Sequence, residues 1–337
     1  MKHIFYIHSF ITYLSALGVI ENKNIKDDAV LFLYVRGCFK QSRFRYINVN
    51  DSCPELFGLP CYASRFFYVR NWSLIKFFDK LIDSFCENDN YVCYLPSNGQ
   101  YLQQLLSTHH KCVRLHFIEE GLFSYNDTFR KKNWPFYGIL GSVKKYLNTG
   151  NRVVNPDYIV KNSILYILFD VKNYSGPLQK KCIMPNINKI PYDGPRLSNA
   201  NVLMMNAFRD ASAEVIDDLL KILYRFAQRQ NKPIYIKHHP YSSKEFKLAV
   251  ENVFRLSGVE FYVLDDFSST ELLLWHSNEL SVYGFFSATM LYAVMFGHKA
   301  YSFLNLFRSM SDNCARYLDV NFHVPVSFLD NVDDYVC

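Results

Sequence analysis

The sequence predicts an α/β protein built from two parallel-sheet units, and three observations carry that reading. Apolar runs of about four to eight residues alternate with amphipathic helical stretches, the pattern of buried strands joined by crossover helices. The rhythm weakens across residues 172–201, where Pro177, Pro185, Pro191 and Pro195 fall among Gly176 and Gly194 and read as a linker. A chain of 337 residues is long for one core and comfortable for two domains of about 150–180 residues each.

In order, the first half reads as strand "HIFYIHSF", helix "ITYLSALGVIEN", strand "AVLFLYVRG", helix "SLIKFFDKLIDSFCEN", strand "YVCYLPS", helix "GQYLQQLLSTHH" and strand "VRLHFIEEG". The second half reads as strand "NVLMMNAF", helix "SAEVIDDLLKILYRFAQRQN", strand "PIYIKHHP" and helix "SKEFKLAVENVFRLSG". It continues through strand "VEFYVLDDF", helix "STELLLWHSN", strand "LSVYGFFS", the apolar helix "ATMLYAVMFG" and "KAYSFLN". The expected division is residues 1–171, a linker over 172–201, and residues 202–337. Two such units facing across a linker are expected to form a cleft between the C-terminal ends of their sheets, where this architecture binds ligands.

Half of the residues are apolar and 20% are charged, a globular balance. No apolar run reaches the ~18 residues of a membrane span. Lys2 followed by apolar residues imitates a secretion signal. The early His8-Ser9, the lack of a small-x-small cleavage site and the strand-then-helix pattern argue against one, so a cytoplasmic location is expected. Nine cysteines without a C-x-x-C pair fit reduced, buried thiols and exclude the usual zinc patterns. The net charge of +6 suits an anionic ligand or membrane surface, and no nucleic-acid module is recognisable.

Three short motifs bring chemistry to strand ends. Glu119 and Glu120 end a strand side by side, and Gly121 permits a sharp turn after them. Neighbours on an extended strand face opposite ways, so one of the two can enter the cleft, and like charge with desolvation favours a general base near neutrality. A solvated strand end explains the pair equally simply. In "IYIKHHPYS", Lys237, His238 and His239 end a strand, and Pro240 fixes the chain as it leaves. An imidazole there can donate to a phosphate, and Lys237 adds positive charge. The plain alternative is a surface histidine pair. Ser287 and Thr289 begin an apolar helix, where hydroxyls cap the helix and free N–H groups attract phosphate. Asn206, after a strand, is a candidate nucleotide contact by position, and Ser9 is a further binding candidate at the end of the first strand. Asp265-Asp266 is read as a strand-end loop capping the next helix rather than a metal-binding pair. No apolar strand ends in an isolated D-x-D, and no metal site is expected.

With these residues in that order, the chain resembles the bacterial sialyltransferases that share a D/E-D/E-G motif, an HP motif and a later Ser-containing motif, including lipooligosaccharide sialyltransferases and capsule polysialyltransferases. Glu119-Glu120-Gly121, His239-Pro240 and Ser287-Ala288-Thr289 stand at the three places, with Ala288 interrupting the usual Ser-Ser/Thr pair. The resemblance implies a GT-B fold of two Rossmann-like domains, with the acceptor side and catalytic acid in the first and CMP-sugar binding in the second. It implies inverting, metal-independent transfer of sialic acid from CMP-Neu5Ac to a glycan hydroxyl, such as a galactoside of an O-antigen, lipooligosaccharide or capsule. CMP-sialic acid is then a donor substrate, and no cofactor is implied. By the likeness Glu119 is the base, with Glu120 the alternative. His239 contacts and protonates the phosphate, and Ser287 binds it.

The acceptor implied is lipid-linked, at the inner face of the inner membrane. The segment 129–147 mixes Arg130, Lys131, Lys132, Lys144 and Lys145 with Trp134, Phe136 and Tyr137, which suits an anionic membrane surface as well as a solvated basic face. Two rival readings remain: a transferase using another nucleotide sugar such as CMP-Kdo, and a non-catalytic nucleotide- or glycan-binding module of a polysaccharide assembly complex.

Overall fold

The computed structural model describes residues 1–34, 68–98, 101–125, 152, 163–170, 178–265, 268–321, 324 and 326–335. The chain divides into two compact units. The first comprises Met1–Asp170 with Ser175–Pro191, and the second comprises Val171–Tyr174 with Tyr192–Cys337.

The first unit runs β1 (Lys2–Ile7), α1 (Phe10–Lys23), β2 (Val30–Tyr34), α2 (Tyr68–Cys86), β3 (Tyr91–Leu95), α3 (Tyr101–Ser107), β4 (Cys112–Ile118), β5 (Ile164–Ile167) and β6 (Gln179–Cys182). Its sheet has the order β2-β1-β3-β4-β5-β6, with every pair parallel. Parallel strands are covered on both faces, so they read as unbroken apolar runs rather than alternating ones. Accordingly all five residues of β3 and the last four of β1 are buried. Phe5 and Tyr94 stack across the β1–β3 pair with centroids 4.3 Å apart. Fully burying an aromatic side chain of this size contributes about 1.5–3 kcal/mol.

Part of the stretch expected to be linker belongs to this sheet. Residues 179–182, "QKKC", are too polar to announce a strand, but they occupy an edge, where lysines discourage further pairing. The residues that follow are tied to α1. Lys181 Nζ donates to Asn22 Oδ1 at 2.8 Å, and the Asn186 N–H donates to Glu21 Oε2 at 2.7 Å. A Cβ at Gly18 of α1 would stand 3.1 Å from Ile183 Cδ1, so the helix and this segment pack closely.

The second unit runs β7 (Asn201–Met204), α4 (Ala213–Gln228), β8 (Ile234–Lys237), α5 (Lys244–Ser257), β9 (Phe261–Val263), α6 (Thr270–Trp275), β10 (Ser281–Gly284), α7 (Ala288–Met295), β11 (Lys299–Ser302), α8 (Leu304–Arg308), α9 (Asp312–Asn321), α10 (Val326–Leu329) and β12 (Asp333–Asp334). The sheet order is β12-β11-β10-β7-β8-β9, again parallel throughout. Serines cap the helices where the sequence places them. Ser212, Ser243 and Ser269 each accept a backbone N–H of the first turn, and Gly258, at φ 74°, ends α5 in the left-handed conformation. The cap of α6 is therefore Ser269, not the Asp265-Asp266 pair. Asp265 shapes the turn before it, its carbonyl accepting the Ser268 N–H at 3.1 Å, and Asp266 lies outside the described residues. Phe208, Phe226, Phe254, Phe285, Phe303 and Phe307 fill the core. Among the described residues no helix is long and apolar enough to cross a membrane.

Candidate functional site

The predicted site residues fall into two groups, one in each unit, and each group lies at the C-terminal end of its own sheet. Open parallel sheets bind ligands at that end, beside the pair of strands where the strand order reverses. In the second unit those strands are β7 and β10. The chain adds β8 and β9 on one side of β7, then crosses to lay β10 on the other.

Asn206 leaves β7 and Phe286-Ser287 leave β10 at this point. The Asn206 side chain holds the Phe286 backbone on both counts, accepting its N–H at 3.3 Å and donating to its carbonyl. Asn206 is thus a structural clasp across the reversal point. Ser287 follows as the cap of α7, its Oγ accepting the Thr289 N–H at 3.2 Å. As an acceptor in that bond, the hydroxyl keeps its own proton to donate. Thr289 lies in the first turn, half-buried like Ser287. Gly284 makes the approach to this corner possible, because a Cβ there would stand 2.8 Å from the Met204 carbonyl oxygen and 2.9 Å from Met290 Sδ.

From β8 come three consecutive polar residues with three different environments. Lys237 is 7% exposed, and its Nζ donates to the Asp265 carbonyl and, at 3.4 Å, to Ser268 Oγ. It therefore holds the loop after β9, a role its charge alone did not suggest. His238 points into the unit, 1% exposed, with Nε2 3.5 Å from Glu251 Oε1 of α5. His239 is half-buried beside exposed Pro240. Its Nδ1 accepts the Tyr241 N–H at 3.2 Å, which places the proton of the neutral ring on Nε2. Arg209, beyond β7, lies 4.8 Å over the Tyr241 ring and adds a cation to the same rim.

In the first unit the two acids separate. Glu119 is fully buried and accepts the Leu168 N–H at 2.7 Å, which joins the end of β4 to the end of β5. The buried Tyr125 hydroxyl also faces Glu119. Burial first, and then the Glu119 charge, pushes its phenol well above the usual range, so it remains a donor. Glu120 is partly exposed and approaches His8, with Oε1 3.2 Å from His8 Nε2. The Glu120 N–H donates to Ser124 Oγ at 2.7 Å. Gly121 has φ 102°, a conformation side chains resist, so it is what lets the chain turn directly after the acids.

Ser9 caps α1 in a reciprocal box with Thr12. Ser9 Oγ accepts the Thr12 N–H at 3.3 Å, and Thr12 Oγ1 accepts the Ser9 N–H at 3.1 Å. Its hydroxyl is thus part of a helix start. Sequence reasoning did not assign a role to His8. The only signal was its place, one residue past an apolar strand and next to a helix cap.

One other cluster among the described residues has metal-ligand spacing. Candidate atoms of Asp83, His109 and His110 lie within 4.8 Å of one another at the opposite end of β4. His109 Nδ1 accepts the Lys111 N–H at 3.3 Å, which leaves the proton on Nε2, 3.7 Å from Asp83 and 3.8 Å from Asp79. Lys111 stands 2.8 Å from Asp83, and Arg152 pairs with Asp79. A ring donor between two carboxylates, each already matched by a cation, is a partly exposed polar network rather than a set of free ligands. The basic segment 129–147 lies outside the described residues.

Comparison with known proteins places the chain in a family. No curated protein sequence matches the chain. MnaA of S. aureus, solved with UDP, shares 10% identity with a TM-score of 0.54, over 99% of this chain and 92% of that one. A putative UDP-N-acetylglucosamine 2-epimerase from Listeria monocytogenes also shares 10% identity, with a TM-score of 0.53 over 100% and 92% of the two chains. At such identity the likeness is one of fold, the two-domain α/β fold called GT-B. The sequence model of alpha-2,8-polysialyltransferase (POLYST) matches residues 70–302, a stretch that holds the acidic pair, His239-Pro240 and Ser287. The chain belongs to the alpha-2,8-polysialyltransferase family, and it is a glycosyltransferase.

Proposed function

We propose that the protein transfers sialic acid from CMP-sialic acid to a hydroxyl of a glycan acceptor, with inversion and without a metal ion. The observation that carries this reading is the gathering of Asn206, His239 and Ser287 at the C-terminal ends of β7, β8 and β10, within the stretch matched by the family. Asn206 fixes the backbone that presents Ser287. The His239 Nε2–H and the Ser287 hydroxyl are then the donors for the nucleotide phosphate, and the first turn of α7 adds free N–H groups.

In the reaction proposed, a carboxylate of the Glu119-Glu120 pair takes the proton of the acceptor hydroxyl. The hydroxyl oxygen bonds to the anomeric carbon from the face opposite the phosphate. The bond to the phosphate oxygen breaks and its electron pair leaves with CMP, whose growing charge His239 and Ser287 offset. Direct displacement inverts the anomeric centre. A lipid-linked acceptor at the inner membrane face would meet the basic, aromatic segment 129–147.

Incubation with CMP-sialic acid and a panel of galactosides, followed by measurement of released CMP, tests the reading. Titration with CMP, UDP and GDP tests the nucleotide. MnaA was solved with UDP, so a preference for UDP would replace the donor assignment. Release from CMP-Kdo alone would change the sugar. Donor binding without turnover would leave a binding module.

A further inference from the structure

The two acids of the first unit differ in what they can reach. Glu119 has no exposed surface, and one of its oxygens is held by the Leu168 N–H. To meet an acceptor hydroxyl it would have to break that bond and leave the interior. Glu120 is 24% exposed at the same sheet end, and His8 beside it is 22% exposed.

The place matters as much as the exposure. In the order β2-β1-β3 the strand order of the first unit reverses beside β1, so the reversal point lies between β1 and β3. His8 is the first residue past β1, and Glu120 reaches toward it from the end of β4. A carboxylate only accepts, so the 3.2 Å contact with Glu120 Oε1 favours the ring proton on His8 Nε2. The other nitrogen, Nδ1, is buried without a hydrogen-bond partner, so the Nε2–H form leaves a lone pair there rather than an unmatched proton. Each of the two residues has its backbone fixed as well. The His8 N–H donates to Thr12 Oγ1 at 3.2 Å, and the Glu120 N–H donates to Ser124 Oγ at 2.7 Å.

We infer that Glu120 is the base of the transfer proposed above and that His8 is its positioning residue. The inference rests on that reading for the reaction, but not for the pairing. His8 occupies one carboxylate oxygen and fixes its plane. The acceptor O–H transfers its proton to the remaining oxygen of Glu120 as the new glycosidic bond forms and CMP departs. Glu119 stays in the interior as the link between β4 and β5.

Two measurements on the full chain test this. Nitrogen-correlated NMR of the histidine rings reads the tautomer directly, whatever the donor. The expected result is an Nε2–H ring at His8 in the wild type and in Glu119→Gln, with that preference lost in Glu120→Ala. An Nδ1–H ring in the wild type overturns the pairing. The second measurement is CMP release with a galactoside, on variants whose urea midpoints match the wild type. Glu120→Gln should lose about 10²-fold or more in kcat. His8→Ala should lose about tenfold in kcat with donor KM within about twofold, because binding is untouched. His8→Gln should recover most of that loss, since its amide N–H can take the place of Nε2–H. A His8→Ala rate equal to wild type, a His8→Gln rate no better than His8→Ala, or a greater loss in Glu119→Gln than in Glu120→Gln overturns the inference. If the wild type releases no CMP at all, the transfer reading fails while the tautomer result still decides the pair.

Discussion

Asn206 and Phe286 are eighty residues apart in sequence, yet the side-chain amide of one satisfies both backbone groups of the other. The clasp spans the point where the second sheet reverses its order, and it fixes the residue immediately before Ser287. In the proposed reaction this loop offers a hydroxyl and a helix N-terminus to the nucleotide, and it gains from being held this way. In the proposed transfer Asn206 would therefore act on the nucleotide through Phe286.

Replacing Asn206 by Ala should leave the Phe286 N–H and carbonyl without their partner. Each unmatched group costs about 1–3 kcal/mol, less where water can reach it. The urea midpoint should fall and CMP affinity should weaken together. Asn206→Asp keeps the acceptor and loses the donor, so it should fall between the two. A variant with wild-type stability and affinity would reduce the clasp to an incidental contact.

Gly121 sits at φ 102° directly after the acids. A side chain in the left-handed region costs roughly 1–2 kcal/mol, so Gly121→Ala should lower stability by about that much. It should also slow turnover more than it weakens CMP binding, because the residue it displaces is Glu120. Equal losses in rate and nucleotide affinity would place its effect elsewhere.

His239→Ala should weaken CMP binding and slow transfer in the same variant, with a loss in kcat of about 10²–10³, the scale for removing one donor from developing charge. Ser287→Ala removes the cap of α7 as well as a hydroxyl. Cap loss alone costs about 0.5–2 kcal/mol, so this variant should be less stable, with a smaller loss in rate. Isothermal titration with CMP beside steady-state kinetics separates the two.

Acid should destabilise the chain before its carboxylates are protonated. His3, His109 and His116 are lowered from 6.5 to about 4, in each case chiefly by burial, with neighbouring Lys23 or Arg152 next. Between these values the unfolded chain binds more protons than the folded one, so stability rises with pH through that window. It should be fully present above about 6.5 and decline as pH falls towards 4. All three residues belong to the first unit. His116→Gln should make the fall in urea midpoint shallower, and an unchanged slope would show that His116 takes no part in it.

Changing Lys131, Lys132, Lys144 and Lys145 to Glu should strip the protein from anionic vesicles, since each basic residue near such a surface contributes about 1 kcal/mol. Transfer to a lipid-linked acceptor should slow, while transfer to a small soluble galactoside should persist. Wild-type protein that ignores anionic vesicles, or binds them regardless of salt, would leave the segment as solvated surface.

Much of the fold was legible because parallel strands are buried on both faces, and runs such as "YVCYL" and "NVLM" have no other economical explanation. The strand "QKKC" was not legible, because an edge position asks little of its side chains. For the candidate site, residue type and strand-end position pointed to Glu119 as the base with Glu120 as the alternative, and to His239 and Ser287, but not to what each one touches. Ser9 and Lys237 have the right chemistry for a ligand, yet they are engaged in a helix cap and a loop contact. Those engagements depend on Thr12, Asp265 and Ser268, and only Thr12 is near enough in sequence to hint at the partnership. His8 carried no motif at all. Its pairing with Glu120 comes from strand order, which no local pattern encodes.

The edge strand β6 also governs how the chain can mature on the ribosome. Residues 179–182 complete the first sheet, and 181–186 are stitched to a helix that emerged near the beginning of synthesis. The first unit therefore lacks its edge strand when Asp170 is made, and its residues are all present only once the chain has passed about Pro191. A polypeptide ending at residue 171 would expose β5 as an unpaired, largely apolar edge, the kind that recruits other chains. The first sheet is thus completed within the proline-rich stretch rather than before it.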